Sequence, residues 1–284
     1  MLRFGLIGTG YWADAAHAAG IDAHPEAELV AVWGRDPAKA AALAERHGAR
    51  AVEEVDRLFE AVDAVAFSVP PDVQAALAPR AAEAGKALLL EKPVALDVAA
   101  ADRIADAATA PTVVFFTHRL DPGMAAWYAE HVDGREWDGA CVLFLTSIFE
   151  DGGPFSESPW RRERGALWDV GPHALSALVP ALGAVEDVAV AGGPRDEVHL
   201  ALRHDSGAAS SVALSLTAPA GVNEAAFWGA EGLVRRPPID GIDVVRAYCA
   251  AIDALLAGET PFDARFGLEV VRVLAEAEAR LNGT

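Results

Sequence analysis

The chain has 284 residues, of which 52% are apolar and 23% charged, with a net charge of −19. That length suffices for two ordinary domains, and the composition for a real core. The acidic balance repels phosphate backbones and speaks against a nucleic-acid partner. The absence of an unbroken apolar run of about eighteen residues speaks against a membrane-spanning helix.

Met1-Leu2-Arg3-Phe4 leads straight into a strand-like segment, without an apolar stretch ending in a cleavage site, so no signal peptide is expected. Cys141 and Cys249 lie far apart in no metal or redox spacing. Lone thiols fit a reducing compartment, and the features together predict a cytoplasmic protein. The sequence leaves a disulfide between the two cysteines open.

Leu2 to Ile7 reads as a strand and Tyr11 to Ala19 as a helix. Leu29 to Trp33 is a second strand, and Pro37 to His47 a helix with proline in its first turn. Further strands are expected at Val62 to Val69, Ala87 to Leu90 and Thr112 to Phe116, with helices near 72–84 and 97–108 between them. Short apolar strands alternating with helices predict a parallel sheet covered on both faces. The pattern then changes. A helix over 123–132, a strand from Ala140 to Phe149 and a Gly-, Pro-, Ser- and Arg-rich loop over 151–164 precede a helix over about 167–182. Strands at 185–191, 196–203 and 208–216 follow closely, the last two joined by an Asp205-Ser206-Gly207 hairpin turn. Helices at about 240–256 and 265–281 close the chain. The expected fold is an α/β Rossmann, doubly wound parallel sheet over 1–118. An α+β domain with a mainly antiparallel sheet is expected over 119–284.

Gly8-Thr9-Gly10-Tyr11-Trp12-Ala13 follows the first strand and opens the first helix, which is where a G-x-G-x-x-G/A dinucleotide fingerprint belongs. Gly8 permits the tight turn, Gly10 lets backbone approach a pyrophosphate, and Ala13 lets helix and strand pack closely. The helix N-terminus offers free N–H groups to the phosphates. The second strand ends Val32-Trp33-Gly34-Arg35-Asp36, with glycine where an acidic ribose ligand is usual. Gly34 leaves room for a 2′-phosphate and Arg35 can pair with it, which favours NADP over NAD. Asp36 either caps the helix that starts at Pro37 or turns inward towards a ribose.

Glu91-Lys92-Pro93 follows the strand Ala87 to Leu90. Strand carboxyl ends line the ligand crevice of a doubly wound sheet, so Lys92 is placed to polarise a substrate oxygen. Asp169 and His173, four apart in Asp169-Val170-Gly171-Pro172-His173, share a face if that stretch is helical. His173 can exchange a hydroxyl proton near neutral pH. The pair reads equally as a histidine satisfied by its own aspartate, and no clear third ligand completes a metal site.

These elements together resemble the Gfo/Idh/MocA family (glucose–fructose oxidoreductase, inositol dehydrogenase, rhizopine catabolism) over nearly the whole chain. The carriers are Gly8-Thr9-Gly10, Glu91-Lys92-Pro93, Arg119-Leu120-Asp121-Pro122, Trp160-Arg161 and Asp169-Val170-Gly171-Pro172-His173. The resemblance implies an NAD(P)-dependent dehydrogenase or reductase acting on a secondary alcohol or carbonyl of a sugar, inositol or related small molecule. It implies a catalytic set of Lys92, Asp169 and His173. It further implies that Gly8, Thr9, Gly10, Tyr11, Trp12, Gly34, Arg35, Ser68, Pro70, Glu91, Lys92 and Arg161 border the cofactor. A homo-oligomer formed through the second-domain sheet is also implied. Departures from the family pattern are Val69-Pro70-Pro71-Asp72-Val73-Gln74 where T-P-N-x-x-H is usual, Thr117 where Asn is common, and Ser176 where an Asp often stands. His118 is left without a role. The stretch from Val222 to Pro238 looks compressed, which implies a shortened second domain. Two other readings remain: a non-catalytic nucleotide sensor on the same fold, and a metal-dependent lyase built on Asp169 and His173.

Overall fold

The computed structural model describes residues 1–149, 153, 155, 158–239 and 241–283. The chain divides into two compact units: Met1–Pro122 with Ile242–Leu268, and Gly123–Gly241 with the residues from Glu269 on.

The first unit opens with β1 (Leu2–Ile7), a π-helical turn (Ala13–Ala18) and α1 (Ala19–Ala23). It continues with β2 (Ala27–Trp33), α2 (Pro37–Arg46), β3 (Arg50–Ala51), α3 (Val55–Ala61) and β4 (Ala64–Phe67). Then come α4 (Pro71–Glu83), β5 (Ala87–Leu90), α5 (Val98–Ala107), β6 (Thr112–Val114) and α6 (Thr117–Leu120). The strands form one parallel six-stranded sheet in the order β3-β2-β1-β4-β5-β6. This is the doubly wound order, with its topological switch between β1 and β4. β4 is buried along its whole length, as are Phe4, Leu6, Ile7 and Leu88 to Leu90. That accounts for the unalternated apolar runs in the sequence. Asp36 caps α2 by accepting from the N–H groups of Ala38 and Lys39 at 3.0 and 3.2 Å. The capping reading of Asp36 is therefore the one the fold uses.

In the second unit α7 (Pro122–His131) leads to β7 (Gly139–Ser147), α8 (Pro159–Asp169), α9 (Gly171–Leu182) and β8 (Val185–Gly192). β9 (Val198–His204), β10 (Ala209–Ser215), β11 (Thr217–Gly229) and β12 (Gly232–Arg235) follow. The second sheet runs β12-β11-β7-β10-β9-β8 and is antiparallel except at the β7–β10 pair. Alternate residues of β9 are buried, so one face of that strand is covered. The expected hairpin at 205–207 joins β9 to β10. The last helices are α10 (Val244–Ala257), in the first unit, and α11 (Ala264–Leu281), within which the division between units falls. The segment 242–268, assigned from sequence to the C-terminal half, thus packs with the first unit.

Several elements depart from expectation. Residues 159–164 were expected in a loop but begin α8, with Pro159 in the first turn and a kink at Gly165, whose φ is +65°. Residues 150–152, 154, 156 and 157 of that expected loop lie outside the described residues. The single helix expected over 167–182 is two helices meeting at Val170. β3, α3, β11 and β12 were not foreseen. β11 carries Pro, Gly, Asn, Glu and several Ala, poor strand formers, and its extended form comes from its pairing with β7.

Candidate active site

In the first unit the glycine turn is shaped by close approach. Gly8 has φ +134°, and a Cβ there would lie 2.1 Å from the Ser68 carbonyl oxygen. Only glycine suits that conformation and that contact. Gly8 N–H donates to the Trp33 carbonyl at 2.9 Å, and Ser68 N–H to Ile7 at 2.8 Å. These bonds hold the ends of β1, β2 and β4 together. A Cβ on Gly10 would meet nothing within 4 Å, which leaves an open backbone cradle at the first residues of the π-turn. The residues fit a dinucleotide pyrophosphate here. Tyr11 is 59% exposed beside them.

Gly34 also meets a steric demand within its own unit. A Cβ there would lie 2.5 Å from the Thr9 Cγ2 methyl, so the glycine admits Thr9 and does not by itself leave free space. Arg35 is exposed.

The Glu91-Lys92-Pro93 segment leaves β5 through a cis Lys92–Pro93 bond and is held by Gln74 on α4 and by the turn that carries Trp12 and His17, with Tyr248 behind His17. Gln74, fully buried on α4, donates from Nε2 to the carbonyls of Glu91 at 2.8 Å and Val94 at 3.0 Å. Its Oε1 accepts from Glu91 N–H at 2.8 Å. Trp12 Nε1 donates to Glu91 Oε1 at 2.9 Å, and His17 Nε2 lies 3.0 Å from the same oxygen. Tyr248 on α10 bonds the other His17 nitrogen at 2.9 Å. Glu91 Oε2 accepts from the Lys92 N–H at 3.2 Å. Burial and the negative Glu91 push the Tyr248 phenol well above its ordinary pKa.

Sequence reasoning treated Gln74 only as a departure from the family pattern, standing where His is usual. The structure shows it to be the clamp on the lysine loop, with side-chain donor and acceptor both used. His17 and Tyr248 were missed as well. A histidine in an alanine-rich helix just after a dinucleotide turn was the available signal for the first. Nothing local marks the second, which lies 231 residues away along the chain.

The π-turn explains why Trp12 and His17 reach one carboxylate. Its i→i+5 bonding, as from Ala19 N–H to the Asp14 carbonyl, stacks residues five apart. An α-helix would stack residues three or four apart.

In the second unit Asp169 ends α8, and His173 lies in the first turn of α9. Asp169 is 5% exposed, and its Oδ2 accepts from Arg161 Nε at 3.1 Å. Arg161 lies over the rings of Trp160 and Phe155 at 4.6 and 4.4 Å. The His173 ring stands 6.0 Å from that of Phe144 on β7. Ser176 is buried and donates to the His173 carbonyl at 2.8 Å, a backbone support for that turn. A Cβ on Gly171 would lie 2.9 Å from Leu274 on α11, which explains the glycine of the motif by packing. Arg161, which the sequence reading sets at the cofactor, bonds Asp169 within its own unit.

Among the described residues no group of three or more His, Cys, Asp or Glu is arranged to hold a metal. Cys141 and Cys249 are free thiols. Also among the described residues, no helix is long and apolar enough to cross a membrane.

Residues 2–118 match the model of the Gfo/Idh/MocA group, described as an oxidoreductase family with an NAD-binding Rossmann fold. Inositol 2-dehydrogenase of Rhizobium meliloti is 30% identical over 237 residues, covering 78% of this chain and 71% of the relative. A myo-inositol dehydrogenase structure from Corynebacterium glutamicum superposes with a TM-score of 0.83 at 20% identity, over 100% of this chain and 97% of that one. UDP-N-acetylglucosamine 3-dehydrogenase GnnA from Acidithiobacillus ferrooxidans gives 0.82 at 19%, over 99% and 98%. At such identities these two structures speak for a shared fold.

Proposed function

This chain belongs to the Gfo/Idh/MocA oxidoreductase family, and on that premise we propose that it moves hydride between a nicotinamide and a secondary alcohol or carbonyl of a sugar, inositol or related small molecule. The observation that carries the reading is the hydrogen bond from Trp12, in the glycine-turn segment, to Glu91, beside Lys92. It ties the dinucleotide turn to the one lysine at a strand carboxyl end, so a binding element and a chemical one belong to a single construction.

When bound, the nicotinamide accepts or supplies the hydride. The Lys92 ammonium orients the substrate hydroxyl and stabilises charge on its oxygen. His173 takes the hydroxyl proton as the C–H bond gives up its hydride, and returns it in the reverse direction. Asp169, fixed by Arg161, accepts a hydrogen bond from the substrate and positions it. Gly8, Thr9, Gly10, Tyr11, Trp12, Ser68 and Pro70 border the cofactor.

Arg35 is exposed at the end of β2, and Asp36 is engaged as a helix cap, which supports NADP as the preferred cofactor with NAD as the alternative. A cytoplasmic homo-oligomer using the second sheet completes the reading. Family membership speaks for the enzyme over the sensor.

The test is the absorbance change of reduced cofactor, with NAD and NADP in parallel, against myo-inositol, hexoses and their keto forms. Turnover on a polyol or its ketone is expected. Cofactor binding with no turnover on any of them would overturn the reading, and Arg35→Ala should weaken NADPH binding and leave NADH binding unchanged.

A further inference from the structure

His17 and Tyr248 are both fully buried and form a hydrogen-bonded line ending on Glu91. Their rings stand 4.7 Å apart, with Phe115 against both. A neutral imidazole has one donor and one acceptor nitrogen, whereas an ionised carboxylate can only accept. In the neutral ring Nε2 would therefore carry the proton and donate to Glu91, with Nδ1 accepting from the Tyr248 hydroxyl. The phenol, held protonated by burial and by the neighbouring Glu91, is suited to that donation. Glu91 then uses one oxygen for His17 and Trp12 and the other for the Lys92 N–H.

We propose that His17 and Tyr248 are a positioning relay for the reaction: the line from Tyr248 through His17 fixes the Glu91 carboxylate, and Glu91 in turn fixes the backbone from which the Lys92 side chain projects. The proposal rests on the role given to Lys92 above. Neither residue touches the reacting atoms. Their contribution is orientation, where a displacement of about 1 Å can cost up to roughly a hundredfold in rate. The relay reaches from the π-turn to α10, so a residue near the C-terminus helps aim a lysine in the N-terminal half.

Two measurements test it. Long-range proton–nitrogen NMR of the cofactor-free protein reads the His17 tautomer directly. The Nε2–H form is expected, and an Nδ1–H form would overturn the relay. The second is kinetic. His17→Ala should lower kcat about tenfold with KM and the cofactor Kd changed by less than about twofold. His17→Gln keeps a nitrogen donor for Glu91 and should recover most of the loss. Tyr248→Phe should fall between them. An unchanged kcat in H17A, or H17Q as slow as H17A, would overturn the proposal. The tautomer and the cofactor titration need no substrate, so they stand even where the polyol panel fails, and failure of the relay is separable from failure of the proposed reaction.

Discussion

The two candidate chemical clusters are built in opposite ways. Around Glu91 and Lys92 the supporting groups come from distant parts of the sequence: Trp12, His17, Gln74 and Tyr248. Around Asp169 and His173 they come from nearby: Arg161 is eight residues from Asp169, and Ser176 three from His173. The first cluster exists only when its unit is folded and is then fixed from several sides. The second is a helix–helix junction whose Arg161 and Ser176 hydrogen bonds fall within one short stretch, with Phe144 and Leu274 packed against it from further away. Distant anchors make a site rigid and slow to vary, whereas local ones let a site be retuned by a few neighbouring substitutions.

The largest expected effect bears on whether both clusters serve one reaction. Lys92→Met and His173→Ala should each lower kcat by about 10²- to 10⁴-fold, with cofactor affinity kept. Steady-state kinetics with a cofactor titration checks this, and normal turnover in either variant would detach that cluster from the chemistry.

Next is the ion pair of the local cluster. Arg161→Leu removes one charged partner of the buried Asp169 and should cost about 1–3 kcal/mol of stability, read by urea unfolding. A loss within error would mean that Asp169 is held mainly by other groups.

A comparable effect is expected at the clamp of the distant cluster. Gln74→Leu removes the side-chain partners of a buried turn and should cost about 1–3 kcal/mol, together with a fall in kcat. A loss of stability with kcat intact would show the clamp to be structural alone.

The smallest lies at the edge of the first unit. His47 on the C-terminal end of α2 faces Asp14 at 2.7 Å and Asp22 at 2.6 Å, one carboxylate on each ring nitrogen. Burial pulls its pKa down, but the bonds to Asp14 and Asp22 outweigh this and leave it raised. A raised folded pKa stabilises below the unfolded value of about 6.5, and the contribution fades as pH rises through the folded value. The Tm gap between the wild-type protein and His47→Gln should therefore narrow from about pH 6 to pH 9, with less than about 1 kcal/mol at stake.

Much of this was legible in the sequence for physical reasons. The doubly wound sheet showed through because its strands are buried on both faces and leave unbroken apolar runs, as at Val65 to Phe67 and Leu88 to Leu90. The glycine turn showed through because Gly8 meets a steric demand that no other residue satisfies. β11 did not, because pairing with β7 overrides its composition. Gln74 and Tyr248 did not, because their meaning lies in partners 17 and 231 residues away. Gly34 was legible as a special position, and the structure adds the Thr9 methyl group that a side chain there would meet.

The π-turn over Ala13–Ala18 has a consequence for how insertions and deletions act in this chain. An α-helix of unchanged length here would swing His17 by about 100° around its axis, away from Glu91, whereas losing one residue of the run Ala15-Ala16 as well would set the histidine four from Trp12 and bring it back. Swapping those alanines for other small residues would leave His17 where it is. In this segment residue number and helix type are therefore bound to change together. A one-residue gap within 13–18 when relatives are aligned would therefore mark an ordinary α-helical turn whose histidine still faces the same way.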